Sequence, residues 1–111
     1  MADKVVRTFG PAAFATSAAN VYRNTSALIY DVVTHIHVVN LAAAAGTFSL
    51  YISATTGTET AGLEMFVQQP IAAYGVYDWY GRLKLLSTDY IVGHASAVTI
   101  TVMGEGVQGV V

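Results

Sequence analysis

Apolar and polar residues alternate along most of this chain, with turn residues between the alternating runs, which is the mark of β-strands. The segment Thr47–Ser53 places Phe48, Leu50 and Ile52 on one face and Thr47, Ser49, Tyr51 and Ser53 on the other. A second clear segment, Ala97–Met103, points Val98, Ile100 and Val102 inward and Thr99 and Thr101 outward, and Gly104 ends it. β-branched side chains fill both, as a half-buried pleated surface favours.

A longer strand is expected over Ala27–Asn40. Leu28, Tyr30, Val32, Ile36 and Val38 share one face, interrupted by Thr34, opposite a mixed face of Ile29, Asp31, Val33, His35, His37 and Val39. Leu63–Val67 reads as a strand that bends at Pro70, because proline cannot donate to a ladder. Val76–Tyr80, Arg82–Leu86 and Tyr90–Ser96 read as three more, divided by Gly81 and by the turn Ser87-Thr88-Asp89, and Phe14–Arg23 adds one or two. The alanines of Leu41–Ala45 are too few to sustain an isolated helix, so that segment reads as a loop ended by Gly46. About seven to nine short strands in one domain predict an all-β antiparallel sandwich. Residues 1–11 lack periodicity and read as an N-terminal arm. The glycine-rich but apolar tail 105–111, with Val107, Val110 and Val111, reads as a docking segment.

Composition changes the picture in one respect. Five Lys and Arg with seven Asp and Glu make 11% of the 111 residues, against about 25% in ordinary soluble domains. Hydrophobic residues make up 54%. That surplus needs cover, either lipid or other subunits. Asn40, Thr47, Ser49, Gln68 and Gln69 cut every apolar run short of the roughly 20 residues of a spanning helix. Met1-Ala2-Asp3-Lys4 opens no apolar signal core. Burial against subunits is the better reading, and no membrane partner is expected. Lys4, Arg7, Arg23, Arg82 and Lys84 are scattered, whereas nucleic-acid backbones need clustered bases, so nucleic acid is not expected either. The chain has no cysteine, which excludes disulfides and thiolate chemistry.

Taken together, residues 20–106 resemble the small β-sandwich virion proteins of tailed bacteriophages, both head decoration (cement) proteins and tail-associated proteins. The resemblance rests on the strand end Ile36-His37-Val38-Val39-Asn40, the small-residue loop Leu41–Gly46 and the alternating strand Thr47–Ser53. It continues through Arg82-Leu83-Lys84-Leu85-Leu86, Ser87–Ser96 and the strand Ala97–Gly104 with Glu105 after it. The Asp turn of such proteins commonly reads Gly-Asp, where this chain has Thr88-Asp89. The resemblance implies a jelly-roll-like sandwich and virion membership, and no catalytic residues. It implies a decoration protein, a homotrimer whose apolar surface is covered by sister subunits and by the major capsid protein beneath. The alternative it leaves open is a tail or baseplate protein contacting host glycans.

Chemical candidates are few. His35-x-His37 puts two imidazoles on one side of a strand, the way a cupin-like metal site opens, and a cupin-like metalloenzyme is the third class weighed. No Asp or Glu follows until Glu59, and the remaining histidine is His94, so the ligand set is incomplete. The pair therefore reads as packed or hydrogen-bonded at a subunit contact, and no metal or cofactor is expected. Tyr74, Tyr77, Trp79 and Tyr80 are candidates for core, interface or sugar stacking, with Tyr77 and Trp79 facing opposite to Val76, Asp78 and Tyr80. The carboxylates are dispersed, without acid–base spacing. Asp89 reads as a turn residue, and the sequon Asn24-Thr25-Ser26 carries no weight without a secretion route.

Overall fold

A computed structural model describes residues 4–24, 28–53, 64–86 and 89–110. Leu63, the Thr25 and Ser26 of the sequon, the Ser87-Thr88 pair and Val111 lie outside them. Among the described residues there is no helix and there are eight strands. They are β1 (Lys4–Ala13), β2 (Ala19–Arg23), β3 (Ile29–Asn40), β4 (Gly46–Ser53), β5 (Glu64–Ile71), β6 (Val76–Leu85), β7 (Tyr90–Ala95) and β8 (Ile100–Val110).

These strands form two antiparallel four-stranded sheets, in the orders β1-β8-β3-β6 and β2-β7-β4-β5. Each strand of the first half pairs with its mirror in the second: β1 with β8, β2 with β7, β3 with β6 and β4 with β5. Successive pairs fall in alternate sheets. A long hairpin folded at β4–β5 and rolled up on itself produces this order, which is the jelly-roll form of the sandwich. The core lies between the sheets. Phe9, Val33, Ile36, Val38 and Val102 come from one, Phe48, Leu50, Phe66, Ile71 and Ile91 from the other. Phe48 is its hub, with ring centroids of Phe14, Phe66 and Tyr77 at 5.9, 5.5 and 5.6 Å.

Several strands depart from the expected bounds, each for a physical reason. Residues 4–11 are not an arm; they lie in β1, paired with β8 from Lys4↔Gln108 onward. The last strand begins at Ile100, after a turn that leaves Val98 exposed, and runs through Gly104 to Val110. Gly104 does not end it, because the Phe9 ring lies where a Cβ would stand. Gly106 likewise meets the Val32 carbonyl, so the tail zips into its own sheet between β1 and β3. Val76–Leu85 is one strand, since the Trp79 ring folds over Gly81 and lets the strand continue. Pro70 sits inside β5, at the sheet edge where its missing N–H costs no ladder bond.

The largest departure is in β3. Between the pairs Val33↔Gly106 and His35↔Glu105, β3 advances two residues while β8 advances one. Thr34 is the extra residue of a β-bulge, and a bulge shifts the alternation by one. The expected inward face holds for Ile36 and Val38 but is inverted upstream, where Asp31 and Val33 are fully buried and Tyr30 and Val32 are not.

Asp31 is thereby carried inward, where its two oxygens are satisfied from two different strands. Tyr22 Oη donates to Oδ2 at 2.6 Å and Gln108 Nε2 to Oδ1 at 2.8 Å. Burial, and after it the bond to Asp31, push the Tyr22 hydroxyl above its ordinary range. Because Tyr22 and Asp31 belong to opposite sheets, this bond ties the sandwich across. Asp31→Ala is expected to lower stability by about 2–3 kcal/mol, since two half-buried donors lose the buried carboxylate that accepts from both. Tyr22→Phe should cost about 1 kcal/mol, and urea unfolding of the two variants measures both.

Candidate functional site

Two features stand out, one on the outer face of the first sheet and one at an end of the sandwich. The first follows from the bulge. Beyond Thr34 the even positions of β3 face the core, so His35 and His37 both face outward. The register then sets three strands side by side. His35 lies between Glu105 of β8 and Tyr80 of β6, and His37 lies opposite Asp78 of β6. His35 Nδ1 is 2.8 Å from Glu105 Oε1 and its Nε2 is 2.7 Å from Asp78 Oδ1. His37 Nδ1 is 2.6 Å from the same Asp78 oxygen. The Tyr80 ring stacks on His35 at 4.5 Å, within 3° of parallel. Both ring nitrogens of His35 thus face carboxylates, and its plane is held from one side.

The hydrogen bond to Asp78, and next that to Glu105, raise the His35 pKa above its ordinary 6.5. Hydrogen bonds from His37, and next from His35, lower that of Asp78 below its ordinary 3.8. The His-x-His spacing was legible in the sequence, but its carboxylates were not. Asp78 and Glu105 stand 41 and 70 residues from their nearest bonded histidine, and only sheet register makes them neighbours.

The second feature is built by the connections β1–β2, β3–β4, β5–β6 and β7–β8, which the rolled hairpin brings to one end. Their residues 14–18, 41–45, 72–75 and 96–99 include no charged side chain. Backbone bonds join them: Phe14 N to Ile100 O, Leu41 N to Thr99 O, Tyr74 N to Ala42 O and Asn40 N to Gly75 O. Asn40 is buried beneath. Its Nδ2 donates to Ala44 O and Ala72 O, and its Oδ1 accepts from Ala42 N. On this support Leu41, Tyr74, Val76 and Val98 stand 61, 71, 55 and 61% exposed. An uncharged, apolar, hydrogen-bonded end is unusual for a surface facing water.

The aromatic residues expected to act as a group are distributed over three places. Tyr74 is at the uncharged end, and Tyr80 is on the histidines. Tyr77 and Trp79 are half-buried and packed on the core. Val107 is half-buried within β8, opposite Val5 and Val32, and Val110 is exposed at the far end of that strand, opposite Ile29. Asp89 closes its turn as expected, with Oδ2 accepting from Leu86 N at 2.8 Å.

No family model matches the chain, and no curated protein matches it. Among solved structures, it is similar to a structure of infectious bursal disease virus Gx strain, with 7% identity and a TM-score of 0.43 over 96% of this chain and 30% of that one. It is also similar to a pentameric capsid protein isolated from metagenomic phage sequences, in two structures. One gives 13% identity and a TM-score of 0.33 over 97% of this chain and 61% of that one. The other gives 12% identity and a TM-score of 0.28 over 96% and 57%. The chain therefore spans between 30% and 61% of the length of the proteins it matches.

The charge pattern at His35 sets a pH dependence. A histidine with a raised pKa stabilises the fold fully below its ordinary 6.5 and loses that contribution as pH rises through the folded value. Asp78, with a lowered pKa, contributes above its ordinary 3.8 and loses it as pH falls through the folded value. Asp78→Asn should therefore lower thermal stability most between these two pH values, by up to about 1 kcal/mol for a pair this exposed. Proton NMR titration in chelator-treated buffer should give His35 a midpoint above 6.5 that falls in Asp78→Asn.

Proposed function

We propose that the protein is a non-enzymatic structural component of a virion, a decoration protein that binds a phage head as a homo-oligomer, by resemblance a trimer. The observation that carries this reading is the uncharged loop end. Leu41, Tyr74, Val76 and Val98 project from it, and its backbone groups are already bonded to one another. Such an end is preorganised, so covering it with protein costs little ordering entropy. The low charge content of the whole chain points the same way. The jelly roll is a frequent capsid architecture, and this part of the support is analogy of fold.

In this reading the uncharged end packs against sister subunits around the oligomer axis. The shell of the major capsid protein covers a further face. Subunits that bind only the assembled shell stabilise it by mass action. Location on the head rather than the tail rests on the resemblance to head decoration proteins, since Tyr80 stacks on His35 by one face and is otherwise 73% exposed.

Light scattering of the purified protein should give a trimer, and Leu41→Glu with Val98→Glu should give a folded monomer. Both sites are exposed loop positions, so the melting temperature of the monomer should change little. Wild-type protein added to empty phage capsids should raise their heat resistance, and the double variant should not. A protein that stays monomeric, ignores capsids and binds a glycan array would overturn this in favour of the tail reading.

A further inference from the structure

The cluster on the outer face of the first sheet has chemistry that assembly does not require. We propose that His35, His37 and Asp78 form a site for a divalent transition-metal ion of the zinc class, with Glu105 and Tyr80 holding His35 in place. One donor atom from each of the three residues lies within 4.8 Å of the others. Two imidazole nitrogens and one carboxylate oxygen suit zinc-class ions, whereas calcium and magnesium prefer sets made of oxygens.

Three observations go beyond the proximity of three side chains. First, the donors converge from one direction. His35 Nε2 and His37 Nδ1 both point at Asp78 Oδ1, at 2.7 and 2.6 Å. An ion would enter there as the carboxylate moves back. Asp78 and His37 are 35% and 33% exposed, so both have room to adjust. Second, His35 has the outer partner that metal-bound histidines almost always have. Its far nitrogen, Nδ1, faces Glu105 Oε1 at 2.8 Å. A neutral imidazole has one N–H and one lone pair. In the neutral ring that binds an ion, the N–H donated to Glu105 leaves the lone pair on Nε2, the atom that bonds Asp78 in the ion-free cluster. Third, the Tyr80 ring stacked on His35 restrains its plane. The bulge at Thr34 brings all this about, and bulges commonly re-aim side chains in this way. Three protein ligands leave a coordination position open to solvent or to a neighbouring molecule.

This site is independent of the assembly reading, since a monomer would hold the ion as well. Protein stripped with a chelator and titrated with zinc chloride by isothermal calorimetry should bind one ion per chain. Its melting temperature should rise with zinc. The ring nitrogen resonances of His35 Nε2 and His37 Nδ1 should shift, while calcium and magnesium chloride should have no effect. His37→Gln and Asp78→Asn should abolish binding, and Glu105→Gln, with all three ligands kept, should weaken it by about tenfold or more. Far-ultraviolet circular dichroism of each zinc-free variant checks that it folds. The proposal is overturned if wild-type protein binds no zinc, if folded His37→Gln binds it as well as wild type, or if only the His94 resonances move.

Discussion

One extra residue at Thr34 governs how this sandwich works. Each sheet of a sandwich needs one face of every strand turned inward, and a strand as long as β3 would ordinarily keep one phase throughout. The bulge lets β3 use both. Upstream it buries Asp31 and Val33; downstream it buries Ile36, Val38 and Asn40. Neither partner strand changes phase there, since Glu105 of β8 and Tyr80 of β6 both face outward beside His35. The same slip that places a carboxylate inside the molecule therefore places two histidines outside it.

What happens on the two sides differs because the surroundings differ. Inside, Asp31 is cut off from water, and a buried carboxylate is tolerable only if its oxygens are bonded. Tyr22 and Gln108 meet that demand from the opposite sheet and from the neighbouring strand. The polar bond so made sits beside a core that otherwise holds by aromatic and aliphatic packing around Phe48. Outside, water screens the charges, so the histidine–carboxylate group adds little to stability. Its weight lies in chemistry rather than in holding the fold.

Asn40, the last residue of β3, extends the same logic to the end of the molecule. Its side chain bonds three loop backbone groups, Ala44 O, Ala72 O and Ala42 N, and so links the β3–β4 and β5–β6 connections. That makes short loops of alanine, glycine and small polar residues rigid without charges. Ordered loops that expose Leu41, Tyr74 and Val98 offer a surface ready for other protein, and the scarcity of charge across the chain fits a molecule that spends its life covered.

The sequence by itself determined the strand content and the scarcity of surface charge. It also determined the inward face of Phe48, Leu50, Ile100 and Val102, and the outward placing of His35 with His37, because period-two alternation and composition are local properties. Tertiary structure decided the rest. It showed the glycines of the tail to be contacts, since the groups that need their missing Cβ atoms, Phe9 and the Val32 carbonyl, lie some 95 and 74 positions away in the chain. The bulge left only an interrupting threonine in the pattern, because whether an extra residue is accommodated is settled by the partner strands. Strand order, the meeting of four uncharged loops and the joining of Asp78 and Glu105 to the histidines were likewise invisible. They depend on which strand lies beside which, and alternation looks the same whatever the neighbour.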